Sequence, residues 1–172
     1  MTEPHASRLP DPVCRVASPQ GDIPFTPDMA AMPLDGCPLS TSYGEYFAGL
    51  RDFCLGPGGA ALVQAASQAA GRPLAAGEVS GLIVTAQKHG ALYHPASIEV
   101  RFPGGTALFG ANAATSPHGW AAMAREYAAL VRLTRDIPAA LLPRPLYFEE
   151  GDRLDILLVD WFSGFHEFHA TT

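Results

Sequence analysis

The chain has 172 residues, is 48% hydrophobic and 16% charged, and carries a formal net charge of −6. That is one domain, or one domain with a tail, and it is too apolar to be disordered throughout. No run of about eighteen apolar residues is present to span a membrane, the start MTEPHASRLPDP has no apolar signal core, and the scattered basic residues exclude a nucleic-acid binder that works by neutralising phosphates.

Residues 1–40 hold Pro4, Pro10, Pro12, Pro19, Pro24, Pro27, Pro33 and Pro38. Proline fixes φ and removes a donor, so this segment reads as a disordered or irregular arm. Ile23-Pro24-Phe25 is a candidate docking stretch within it. Ser40-Thr41-Ser42 then offers helix caps, and Tyr46, Phe47, Leu50, Phe53 and Cys54 follow at helical spacing. Gly56-Pro57-Gly58-Gly59 stops that helix, and a second runs over 60–70 to Gly71. A phosphate loop needs G-K-[ST] after the glycines, which is absent. Residues 41–73 therefore read as a helical extension.

Residues 82–86 read as a strand, and 97–102 as another. In the latter Ile98, Val100 and Phe102 alternate with Ser97, Glu99 and Arg101, the period of a half-buried strand. Lys88-His89-Gly90 turns the chain between them, and a third strand covers 106–114 after Pro103-Gly104-Gly105. Ser116 caps a helix with Pro117 at its first position. The helix runs to about Arg135 with Trp120, Met123, Tyr127, Leu130, Val131 and Leu133 on its apolar stripe. Residues 146–148 and 154–161 read as two more strands around the turn Glu149-Glu150-Gly151-Asp152. The expected fold is α+β: an antiparallel sheet of about five strands with one packed helix, behind a helical pair and the arm.

Glu126 breaks this pattern. At about 100° per residue it falls between Leu130 and Leu133 around the helix, within the apolar stripe or at its edge. A carboxylate there either reaches water at the rim or takes a partner. Glu126-x-x-x-Leu130-x-x-Leu133 resembles the helix of the protein-kinase-like N-terminal lobe. Leu142-Pro143-Arg144-Pro145-Leu146-Tyr147-Phe148 is similar to that lobe's fourth strand. Leu157-Leu158-Val159-Asp160-Trp161-Phe162-Ser163-Gly164 is similar to its fifth strand and hinge. The wording is nearest to the aminoglycoside-phosphotransferase-like branch, and the resemblance covers roughly 78–169 within an expected lobe of 74–172.

The resemblance implies an ATP-binding lobe in which Glu126 matches the helix glutamate that pairs with a third-strand lysine. Here Asn112 occupies the lysine position, and an amide carries no charge to neutralise phosphate. Lys88, the one lysine of the chain, stands where the family has its glycine-rich loop. The implied nucleotide-contacting set is Glu126, Asn112, Lys88, Asp160, Trp161 and Phe162, with no catalytic residue and no metal ligand. The family's catalytic loop and metal aspartate lie beyond the hinge, and no H-x-D occurs in the sequence. The chain alone is therefore expected not to transfer phosphate.

Other chemistry is weaker. His166-Glu167-Phe168-His169 has its histidines three apart, not the four of H-E-x-x-H; with His89 and His94 it offers the ligand types of a metal site, but the preferred reading is surface histidines on a hinge extension. Cys14, Cys37 and Cys54 are odd in number and form no C-x-x-C pair, which reads as reduced thiols in a cytoplasmic protein, Cys54 being an inert core residue. Two classes remain: a nucleotide-binding lobe from a small-molecule phosphotransferase or a degenerate relative, and a non-catalytic module that keeps the lobe fold to bind a protein. The expected partner is a second lobe, another protein or a second copy, with no nucleic acid and no membrane.

Overall fold

The computed structural model describes residues 8–35, 40–87, 93–138 and 141–160. Three α-helices and one seven-stranded sheet make the α+β class that the sequence predicts. Strands β1 (Val13–Val16), β2 (Ile23–Pro24), β3 (Gly81–Ala86), β4 (His94–Phe102), β5 (Gly105–Ala114), β6 (Pro145–Glu149) and β7 (Asp155–Asp160) take the order β2-β1-β3-β4-β5-β7-β6. Helix α1 spans Tyr43–Leu55, α2 Pro57–Ala70 and α3 Pro117–Leu133.

The expectation of about five antiparallel strands is corrected to seven strands in a mixed sheet, because β1 runs parallel to β3. The two extra strands come from the segment read as an irregular arm. Proline excludes a strand only where a ladder donor is needed. Val13–Val16 lies between Pro12 and Pro19 and is free of proline, while Pro24 sits on the edge strand, where no neighbour asks for its missing N–H. Phe25 then docks the arm, with its ring 4.7 Å from that of Phe47 on α1.

Local chemistry accounts for the helices. Ser42 and Glu45 form a reciprocal capping box at the start of α1. The glycine run does not merely stop α1. Helix α2 begins at Pro57, and Gly58 and Gly59 are buried inside its first turn against Phe53 and Cys54. A Cβ on Gly59 would lie 2.5 Å from the Cys54 carbonyl oxygen, so glycine is what lets the two helices approach. Gly71 closes α2 in the left-handed region at φ 68°. Ser116 caps α3 and Pro117 opens it, as the sequence predicts.

The two sheet faces are covered differently. Helices α1 and α2 lie on one face over Leu82, Val84, Ile98, Val100, Phe109, Ala111, Ile156 and Leu158, which with Tyr46, Leu50, Phe53 and Leu62 form the main core. Helix α3 lies on the other face, packing Met123 and Leu130 on Ala114 and Leu157. The Trp120 indole N–H donates to the Ala114 carbonyl at 3.0 Å, and Tyr127 stacks on Phe148 at 5.1 Å. Among the described residues no helix is long and apolar enough to cross a membrane.

Candidate functional site on the sheet face beside the third helix

Register decides which side chains share the face that carries α3. Residues 107, 109, 111 and 113 of β5 point into the main core, so Leu108, Gly110, Asn112 and Ala114 point to the other side. Ladder partners share a face. Gly110 is therefore flanked by Ser97 of β4 and Val159 of β7, and Ser97 by Thr85 of β3 and then Arg15 of β1. The next row holds Pro95, Asn112 and Leu157. Helix α3 covers the Ala114 and Leu157 end of this face, and Leu108, at the far end, is 37% exposed.

Glu126 lies on the flank of α3 opposite the Tyr127–Phe148 stack, by the 100° step between successive helical residues. It takes its hydrogen bond from the Tyr93 phenol, which enters β4 from the same side. Burial, then the Glu126 hydrogen bond and its negative charge, push the Tyr93 phenol up to about 12, against a smaller opposing pull from Arg125. The carboxylate in the apolar stripe thus has a partner, the phenol of the residue that precedes β4.

The other predicted site residues separate. Asn112 is half-buried on the α3 face, and its amide makes no hydrogen bond among the described residues. Asp160 aligns with Phe109 and so belongs to the opposite face. Its carboxylate pairs with Arg144, and its N–H donates to the Arg144 carbonyl at 3.0 Å. Lys88, Trp161 and Phe162 lie outside the described residues, as do His89, His166 and His169.

Sequence reasoning missed Tyr93, Arg15, Thr85 and Ser97 as members of this face. The alternation that sets Ser97 on the face away from Ile98 and Val100 was visible, but its neighbours across the ladder were not. Ser97 accepts from the Gln87 amide at 3.1 Å, and Thr85 and Ser97 are only 5% and 8% exposed. On the same face Arg101 pairs with Glu99, whereas Arg15 has no carboxylate partner among the described residues.

Elsewhere the chemistry is muted. Burial pushes the Cys54 thiol up to about 12 and the Cys14 thiol up to about 11, so both are protonated at neutral pH and poor nucleophiles. Among the described residues no group of three or more His, Cys, Asp or Glu could hold a metal ion. A shallow groove of about 490 Å³ runs along α2 between Leu9, Val63, Ser67 and Leu74, on the helix-pair side and away from Glu126 and Asn112. Comparison with known proteins leaves the resemblance resting on the residues alone: no family model matches the chain, no curated protein matches it, and no solved structure matches it.

Proposed function

We propose that this chain is a nucleotide-binding lobe of the kind found in protein-kinase-like and aminoglycoside-phosphotransferase-like phosphotransferases, taking ATP on the sheet face beside α3. One observation carries the reading. From β3 onward the element order is strand, strand, strand, helix, strand, strand, and within it the third of these strands, β5, turns Asn112 to the face on which the helix bearing Glu126 is packed. Asn112 offers an amide to the ligand on that face. The proposed role is binding rather than transfer, since no H-x-D base motif occurs in the sequence. A second lobe or partner protein supplies the remaining chemistry. The free thiols of Cys14 and Cys54 suit a reducing, cytoplasmic setting.

Calorimetric titration of the full chain with a non-hydrolysable ATP analogue tests this. Saturable binding that Asn112→Ala weakens is the expected result. Failure of the wild-type chain to bind the analogue overturns the reading.

A second reading has its own observation. Position 112 lacks the lysine charge, and Glu126 is already engaged by Tyr93, so the pair that handles phosphate in the family is not formed here. In that reading the chain is a protein-interaction module that retains the lobe fold. Self-association in sedimentation runs, together with no analogue binding, is the result that favours it.

A further inference from the structure

Helix α3 turns one side to the sheet and the other to solvent, and the solvent side is basic. We propose that this outer side of α3 is a docking surface for an acidic helix of a partner protein. It points away from the sheet face proposed for ATP, so the two sites succeed or fail separately.

Helical period builds the surface. Met123 and Leu130 pack on the sheet, while His118, Ala121, Arg125, Ala128 and Arg132 are all exposed. These five recur at alternating steps of three and four residues, the spacing of one seam down a helix. Arg135 is exposed in the turn that follows. Among the described residues Arg125, Arg132 and Arg135 make no ion pair, whereas Arg51, Arg72, Arg101 and Arg144 each hold a carboxylate. Glu126 does not neutralise the seam, because it is turned about 100° from Arg125 and takes the Tyr93 phenol. Asp136 shares the turn with Arg135 and pairs with neither neighbouring arginine among the described residues, so the surface stays net positive on a chain whose formal charge is −6.

Ordinary helix chemistry accounts for only part of this. A solvated helix face sets carboxylates three or four residues from its arginines. Around Arg125 those positions are Ala121, Ala122, Ala128 and Ala129. Arginine in a last turn is favoured by the helix macrodipole, which explains Arg132 but not Arg125 two turns earlier. The pattern does suit a second helix. Alanine methyls make a low floor that a helix can approach closely, and Arg125 and Arg132 stand about 10.5 Å apart along the axis at 1.5 Å per residue. Carboxylates seven residues apart on a partner helix match that interval and offer each guanidinium a planar acceptor. A second copy of α3 would bring arginine against arginine and is repelled.

The test measures fluorescence anisotropy of a labelled helical peptide on the full-length chain. The peptide carries glutamate at every seventh position with alanine between on the same face, and its twin carries glutamine for glutamate. At about 0.02 M salt saturable binding of the glutamate peptide alone is expected, fading at about 0.5 M, where the Debye length has fallen to about 4 Å. Arg125→Gln and Arg132→Gln are each expected to weaken it about two- to fivefold, the scale of an exposed ion pair. Arg125→Glu combined with Arg132→Glu should abolish it, and Ala128→Tyr should weaken it by raising the floor without changing charge. Arg153→Gln, an exposed arginine off this helix, leaves it unchanged. Should the double variant not fold, the two glutamine variants carry the test. No saturable binding by wild type, or equal binding by wild type and the α3 variants, overturns the docking surface. So does tighter arginine-dependent binding of a single-stranded RNA oligonucleotide or of phosphatidylserine vesicles, which would make α3 a general polyanion site.

Discussion

The two faces of the sheet differ in what covers them. On the helix-pair face Tyr46, Leu50, Leu62, Ile98, Val100 and Leu158 are fully buried in one continuous apolar cluster. On the α3 face the apolar contact shrinks to a small cluster around Met123 and Leu157, and the rest is Arg15, Thr85, Ser97, Asn112 and the Tyr93–Glu126 pair. One face holds the fold together. The other carries most of the polar side chains of the sheet. A hydrophobic core stabilises in proportion to the apolar area it removes from water, so the unequal coverage is also an unequal division of stability.

The comparison is broken most directly at Phe53. It is 1% exposed, packed on Gly58 and 6.1 Å from the Tyr147 ring. Phe53→Ala is expected to cost about 3–5 kcal/mol in denaturant unfolding, the range for deleting a buried aromatic. A loss near 1 kcal/mol would mean that the helix-pair face is not the main store of stability.

On the other face the largest expected effect belongs to Glu126. Glu126→Ala leaves the buried side of the Tyr93 phenol without its acceptor and is expected to cost roughly 1–3 kcal/mol. A double-mutant cycle with Tyr93→Phe should give a coupling of about 0.5 kcal/mol or more, and strict additivity would dissolve the pair. The same pair sets a pH dependence. The Tyr93 phenol sits at about 12 in the folded chain against an ordinary 10.0, so the folded state holds its proton longer than the unfolded state does. The contribution is complete below pH 10 and is lost as the pH rises toward about 12. Tyr93→Phe should remove that part of the alkaline loss, as read by unfolding free energies across the window. Burial also raises Tyr46, whose O–H donates to the His94 carbonyl at 2.9 Å, so Tyr46 keeps an alkaline loss of its own.

A smaller effect sharpens the contrast from within the helix-pair side. Glu149 aligns with Ile156, which belongs to the main core, and its Oε2 atom is buried with no hydrogen-bond partner. Burial raises its carboxyl above the ordinary range. A carboxyl raised in the folded state costs stability as the pH climbs from its ordinary value through its folded value, and the cost is complete above that. Glu149→Gln is therefore expected to raise stability at neutral pH by up to about 1 kcal/mol. The gain disappears in acid, where wild type is itself neutral. Stability curves at pH 3 and pH 7 check the sign.

The smallest expected change is at Asn112. Its amide makes no hydrogen bond among the described residues, so Asn112→Ala should stay within about 0.5 kcal/mol in unfolding while weakening the ATP analogue. A large loss of stability would make Asn112 a structural residue and remove it from the proposed site.

Much of this fold is legible in the chain. The strands through Ile83, Ile98, Phe109 and Leu157 and the helices through Phe53 and Met123 declare themselves by period, and Ser42, Ser116, Pro117 and Gly71 mark their ends. These signals are local: a pattern of side chains a few residues apart is sufficient to state them. The entry of α2 was misread because a glycine run signals a turn by propensity, whereas here the missing side chains serve close packing on Phe53 and Cys54. The candidate site was legible in part. Glu126 announces itself as a charge in an apolar stripe, but its partner does not, because Tyr93 is distant in sequence and meets it only when the residue before β4 comes up against the α3 cluster.

The sequence by itself determined the class of the fold, most of its helices and strands, and the anomalous glutamate, since each depends on local periodicity and capping. Only the tertiary structure decided that Val13–Val16 joins the sheet, that it joins parallel to β3, and that Asn112 and Asp160 face opposite sides. Pairing between distant strands is fixed by which faces must be buried, and a shift of one residue exchanges every side chain between the two faces. Register therefore placed Arg15 in line with Thr85, Ser97 and Gly110, a row that no stretch of the sequence contains.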